Sequence, residues 1–180
     1  MTIGTQTDIL KKRGEGGSTL FLEGRAIGDT TGHQAGRALL AEMYRRYVGE
    51  ELPSIRVTER GKPYFENSPW FFSISHSKRH AFCALSRKPI GIDAEELGRQ
   101  VNPNLAEKIL SVSEREEYEK ASDRNLALLR FWVLKEAQAK CNGEGLKGYP
   151  NHTNFSLSDP RVRQMLGCLV AVIEEEDDVI

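Results

Sequence analysis

One stretch limits what this chain can fold into more than any other: Phe131-Trp132-Val133-Leu134-Lys135-Glu136-Ala137-Gln138-Ala139-Lys140. It reads as the second half of a helix that starts near Asp123, with Leu126, Leu128, Leu129, Phe131, Trp132 and Leu134 giving a broad apolar face at helical spacing. Leu129, Trp132, Glu136 and Lys140 follow one another at intervals of three or four, so they share one stripe. That stripe begins apolar and ends in a carboxylate and an ammonium. A charge on a core-facing stripe is costly without a partner. Two readings follow: a solvated Glu–Lys pair at a helix end, or a cleft in which Glu136 meets a cation and Lys140 an anion.

A chain of 180 residues with net charge −1 fits one domain, or two small lobes sharing a core. The near-neutral balance argues against a general nucleic-acid binder. No apolar run approaches the ~20 residues that cross a bilayer. Met1 to Gly17 has no apolar signal-peptide core, so a cytoplasmic protein is expected. Cys83, Cys141 and Cys168 are odd in number and far apart, as for reduced core thiols and not for a disulfide framework or a zinc site.

In chain order, residues 1–17 are expected to be a flexible segment. Ser18 to Leu22 reads as a strand; Asp29-Thr30-Thr31 offers an N-cap for a helix from Gly32 to Val48, closed by Gly49. Ile55 to Thr58 alternates as a half-buried strand, followed by a turn at Arg60-Gly61-Lys62-Pro63. Trp70 to Ser75 and Ala81 to Leu85 are strands with a hairpin loop at His76 to His80, and Ile90 to Glu95 is a third. Pro103 to Lys120 reads as a charged helix with Ser113 as its cap and Glu116 three residues on. Phe155-Ser156-Leu157 alternates as a short strand, and Gly167 to Ile173 reads as a strand buried on both faces. Each half is a helix on a small antiparallel sheet, an α+β class. The expected division is an N-terminal lobe at 18–92, a C-terminal lobe at 93–174 and an acidic tail at 175–180.

Strand periodicity puts Gly91, Asp93 and Glu95 on one face, with the two carboxylates roughly 7 Å apart along the strand. Such a pair repels unless a cation sits between, and Mg²⁺, a hard ion with oxygen ligands, answers that need. An exposed strand end is the plainer alternative. Ser75-His76-Ser77 at the hairpin mouth suits an anion such as phosphate, or ordinary turn chemistry. There is no Gly-x-Ser-x-Gly elbow, no Walker loop and no Gly-x-Gly-x-x-Gly.

Singly these signals are weak; their order is specific. Gly61-Lys62-Pro63, Phe72-Ser73-Ile74-Ser75-His76-Ser77, Gly91-Ile92-Asp93-Ala94-Glu95, Trp132-Val133-Leu134-Lys135-Glu136-Ala137 with Lys140, and Gly143-Glu144-Gly145-Leu146 form a series. That series resembles the 4′-phosphopantetheinyl transferases, most of all the single-chain, two-lobed, surfactin-synthetase-activating type, over roughly residues 32–157. The resemblance implies two pseudo-symmetric lobes. It implies Asp93, Glu95 and Glu136 as Mg²⁺ ligands and Lys140 as the contact to the coenzyme A phosphates. It further implies Lys62 and Pro63 against the adenine, and Ser75, His76 and Arg37 at the 3′-phosphate.

The implied reaction moves the 4′-phosphopantetheine arm of coenzyme A onto a serine of an acyl or peptidyl carrier protein and releases adenosine 3′,5′-bisphosphate. Glu136 is the expected base, with His76 the runner-up. No membrane or nucleic-acid partner is expected, and a two-lobed chain needs no second copy to complete its cleft. A non-catalytic module that binds coenzyme A or a carrier, and a metal-dependent phosphoesterase, are the competing readings.

Overall fold

The computed structural model describes residues 10–13, 19–143 and 153–176. Nine strands and four helices follow in the order β1 (Leu10–Arg13), β2 (Thr19–Ala26), α1 (Gly32–Tyr47), β3 (Ile55–Val57), β4 (Pro63–Phe65), β5 (Phe71–His76), β6 (His80–Ser86), β7 (Ile90–Glu96), α2 (Leu105–Ile109), α3 (Val112–Lys120), α4 (Arg124–Asn142), β8 (Val162–Met165) and β9 (Cys168–Glu174) among the described residues. The α+β class expected from the sequence is what the chain adopts. Two antiparallel sheets carry the fold, β1-β2-β6-β5 and β7-β9-β8, with β3 and β4 as a separate ribbon.

The two halves share one topology. A strand (β2 or β7) leads into a long helix (α1 or α4), and the chain returns by a hairpin (β5-β6 or β8-β9) whose last strand pairs with the first. The pseudo-symmetry is therefore one of path.

Alternation along the strands stacks the layers. Phe21, Phe72, Cys83 and Leu85 meet Leu39, Leu40, Met43 and Tyr44 of α1. From the same strands Leu20, Leu22, Phe82 and Ala84 point the other way, against Ile90, Ile92, Ala94, Val170 and Val172. Beyond the second sheet, Leu169, Ala171 and Ile173 meet Leu129, Phe131, Val133, Leu134 and Ala137 of α4. The order is helix, sheet, sheet, helix. The β9 run is buried on both faces as expected, and the cause is this sandwiching of an antiparallel sheet.

Helix boundaries follow local chemistry. Thr31 caps α1 through a capping box with Gln34, and Asp123 caps α4 by accepting the Leu126 N–H. The charged helix divides into α2 and α3, and the cap of α3 is Ser111 with Glu114, not Ser113 with Glu116. Phe155 to Leu157 forms no strand, and β8 was not foreseen. The loop of the β5–β6 hairpin is shorter than expected, because His76 and His80 belong to the strands. Residues 10–13 of the expected flexible segment form the edge strand β1. The rest of that segment, the residues after Gly143 in the Gly143-Glu144-Gly145-Leu146 turn, and the end of the acidic tail lie outside the described residues.

β5 and β7 lie side by side at the edges of different sheets. Two serine hydroxyls of β5 close this seam: Ser73 Oγ accepts the N–H of Ile92 at 3.1 Å, and Ser75 Oγ accepts that of Ala94 at 3.2 Å.

Candidate active site at the seam

On β7, Ile90, Ile92 and Ala94 enter the core between the sheets, which turns Gly91, Asp93 and Glu95 toward α4. Gly91 lets the helix come close. A Cβ there would stand 1.9 Å from the Ala137 carbonyl oxygen and 2.4 Å from the Cys141 nitrogen, closer than atoms can approach. The helix backbone thus lies directly on the strand, and the charged end of the Trp132 stripe arrives at Asp93.

Lys140 Nζ stands 2.7 Å from Asp93 Oδ1 and donates to Ser75 Oγ at 3.3 Å, while the Ser75 hydroxyl donates to the same Asp93 oxygen at 3.1 Å. Asp93 is 6% exposed, and its Oδ2 is buried with no partner among the described residues. Leaving such an acceptor unmet costs about 1–3 kcal/mol. Glu136, one turn before Lys140, is also buried, at 7% exposure. The solvated reading of the Glu136–Lys140 pair therefore fails. Glu95 lies on the same face of the strand, where Arg99 pairs with it. Among the described residues no three His, Cys, Asp or Glu side chains stand close enough together to hold a metal ion.

Glu136 and Lys140 open onto a cleft of about 1360 Å³, which also receives Arg37 from α1, Lys62 from the β3–β4 turn, Pro63 from the start of β4 and His76 from the end of β5. The volume exceeds the ~300–1,000 Å³ of ordinary small-molecule pockets. Its floor is apolar, from Ile55, Phe72 and Ile74. His33 and Arg60, which sequence reasoning did not select, line it as well. Both had a faint signal: His33 is one helical turn before Arg37, and Arg60 precedes Gly61-Lys62-Pro63.

Several expected ligand contacts have protein partners. Lys62 Nζ donates to the Cys141 carbonyl in the last turn of α4, and its stem lies against Gly143, the left-handed C-cap. Burial pushes the Lys62 ammonium below its ordinary value. The pair ties the β3–β4 ribbon to α4. Ser75 is buried in the seam, whereas His76 is exposed with its ring on Gly32 at the start of α1. All three cysteines are free and buried, and burial pushes their thiols up, so none is a ready nucleophile.

Away from the cleft, Lys135 and Glu114 form an ion pair at 2.7 Å with neither side chain exposed. It joins α4 to α3 directly behind Glu136. No helix among the described residues is long and apolar enough to cross a membrane.

Comparison with known proteins gives the arrangement its context. The family model "4'-phosphopantetheinyl transferase superfamily" matches residues 89–170, which run from β7 through α4 into β9. A 4'-phosphopantetheinyl transferase of Bacillus subtilis is 36% identical over 96 residues, covering 52% of this chain and 42% of that protein. The 4'-phosphopantetheinyl transferase psf-1 of Bacillus pumilus is 29% identical over 122 residues, covering 62% and 52%. The gsp protein of the same description from Aneurinibacillus migulanus is 32% identical over 119 residues, covering 61% and 49%. The chain spans about half the length of the curated relatives it matches. Residues 89–170, which carry Asp93, Glu136 and Lys140, are thus similar to the 4′-phosphopantetheinyl transferase superfamily.

Proposed function

We propose that this chain transfers the 4′-phosphopantetheine arm of coenzyme A to a serine of an apo acyl or peptidyl carrier protein, with Mg²⁺, and releases adenosine 3′,5′-bisphosphate. The observation that carries the reading is a cleft lined by Glu136, Lys140, Arg37 and His76, with Asp93 paired to Lys140 at its edge. The same reading takes the chain as a monomeric cytoplasmic enzyme, with lobes at 18–92 and 93–174 meeting at the cleft.

The donor set suits Mg²⁺. Such sites use one or two carboxylates and leave the remaining positions to water and substrate phosphates. Asp93, with its unmet buried oxygen, and Glu136 supply that number. Glu95 would join them on release from Arg99. When bound, the ion would neutralise charge on the coenzyme A diphosphate.

The remaining roles belong to side chains. Lys140 places an ammonium beside the diphosphate. Arg37 and His76 receive the 3′-phosphate, and the Lys62-Pro63 turn covers the adenine. Glu136 takes the proton of the carrier serine as its oxygen bonds to phosphorus and the bond from phosphorus to the adenosine bisphosphate breaks. Holding donor and acceptor together is most of the task.

Incubation of the protein with coenzyme A, Mg²⁺ and a panel of apo carrier proteins, read by intact mass, tests this. A carrier heavier by the phosphopantetheine arm supports it. Cleaved coenzyme A with unmodified carriers would make the chain a phosphoesterase, and binding without cleavage a coenzyme A module.

A further inference from the structure

Ser75 is more than a strand residue at the mouth of a turn. It is 6% exposed, and its oxygen is the meeting point of three polar groups. The Ala94 N–H donates to it at 3.2 Å, the Lys140 ammonium donates to it at 3.3 Å, and it lies 3.1 Å from Asp93 Oδ1. A serine hydroxyl has one proton and two lone pairs. Ala94 N–H and the Lys140 ammonium are both donors, so they take the lone pairs. The single proton can go only to Asp93. The hydroxyl is then fully committed, with its direction fixed from three sides and nothing left to offer a phosphate.

The third edge of this triangle is the ion pair itself, Lys140 Nζ to Asp93 Oδ1 at 2.7 Å. A lysine stem has four rotatable bonds and a strongly hydrated head, so one carboxylate oxygen alone holds it loosely. A second acceptor at a fixed backbone position removes that freedom. We propose that Ser75 is a positioning residue of the transfer reaction: its hydroxyl holds the Lys140 ammonium against Asp93 and sets where that charge stands in the cleft. The inference rests on the function proposed above, and it replaces the 3′-phosphate contact that the resemblance implied for Ser75.

Ser73 provides the comparison within the same strand. It makes the same kind of seam bond, accepting the Ile92 N–H at 3.1 Å, but is bonded to neither Asp93 nor Lys140. Ser73→Ala therefore removes one seam hydrogen bond alone, whereas Ser75→Ala removes a seam bond and the Lys140 anchor.

The experiment uses Ser73→Ala, Ser75→Ala, Lys140→Met and the Ser75→Ala/Lys140→Met double variant, in urea unfolding and in steady-state transfer. In unfolding, the double variant should lose clearly less than the sum of its single changes, since both remove the same bond. Additive losses would overturn the anchor. In transfer, Ser75→Ala should lower kcat about ten- to a hundredfold, the cost of a displaced charge. Its KM for coenzyme A should stay within about twofold of wild type. Ser73→Ala should lose less stability than Ser75→Ala, the share of one seam bond, while keeping kcat much nearer wild type. A raised KM at unchanged kcat in Ser75→Ala would return the hydroxyl to the nucleotide and refute the proposal. If the wild-type chain transfers nothing, the proposed function falls, and the unfolding cycle alone decides whether the anchor exists.

Discussion

The buried pair of Lys135 and Glu114 offers the sharpest energetic test of how α4 is held. Lys135 Nζ also donates to the Thr153 carbonyl at 3.0 Å. Glu114 Oε1 accepts the Phe155 N–H at 2.8 Å, and Oε2 accepts that of Ser111 at 2.8 Å. Lys135→Met leaves a buried carboxylate without its cation, and Glu114→Gln leaves a buried ammonium without its anion. Each single change should cost about 3–5 kcal/mol, the usual result of breaking a buried pair from one side. The double variant removes both charges. Its amide oxygen can still accept one N–H, so what remains is one unmet backbone donor and the lost bond to the Thr153 carbonyl, about 1–3 kcal/mol each. The double change should therefore lose clearly less than the sum of the two single ones. In urea, at a slope of about 2 kcal/mol per M, the single variants should unfold about 1.5–2.5 M earlier than wild type. Trp132, on α4 itself, reports the transition by fluorescence. If the double variant loses the sum of the two single losses, the pair is not an energetic unit.

Other outcomes follow from the site and its supports. Asp93→Ala and Glu136→Gln should each lower transfer by at least about 10²-fold at saturating coenzyme A and Mg²⁺, and full turnover in either would remove that acid from the chemistry. His76→Ala should raise the KM for coenzyme A; lost turnover at saturating coenzyme A would instead place His76 at the reacting phosphorus. Gly91→Ala forces a methyl into the α4 backbone and should cost about 3 kcal/mol or more in thermal or urea unfolding, and an unchanged midpoint would contradict the close approach of helix and strand. Burial alone would raise the Asp159 carboxyl, but the hydrogen bonds and charge of Arg161 outweigh it and hold the group below its usual 3.8. Its stabilisation is then complete above that pH and is lost as pH falls below it, so Asp159→Asn should flatten the acid limb of stability against pH.

The parts legible in the sequence are those in which one segment decides its own fate. The apolar stripe and Asp123 cap specify α4, and the alternation from Ile90 to Glu95 specifies which face of β7 carries the acids. The misreadings lie where a distant residue decides. Ser111–Glu114 and Ser113–Glu116 carry the same capping pattern, and Lys135, out of sight in α4, selects the first by burying Glu114. Phe155 to Leu157 alternates like a strand, yet the carboxylates of Glu114 and Glu117 accept the Phe155 and Leu157 N–H groups, so no neighbouring strand is required. Glu95 shares a face with Asp93 as periodicity demands, and Arg99 then engages it. The Ser75 anchor was invisible because it depends on two sheet edges meeting, and no local pattern records that.

The two copies of the fold treat a buried acid differently. Each first strand carries a buried acid facing a basic residue near the end of its helix: Glu23 of β2 meets Arg46 of α1, and Asp93 of β7 meets Lys140 of α4. At Glu23 the same oxygen also accepts the Tyr47 phenol, and Tyr47 is stacked on Phe21 with ring centroids 3.9 Å apart. That acid is sealed beneath an aromatic lid and serves packing. At Asp93 the corresponding place is taken by the small Ser75, which leaves one carboxylate oxygen unmet and a third of the Lys140 side chain exposed. Equivalent paths thus carry opposite solutions to a buried acid. Glu23 is closed over by packing, whereas Asp93 keeps a buried oxygen without a partner among the described residues, next to a part-exposed ammonium.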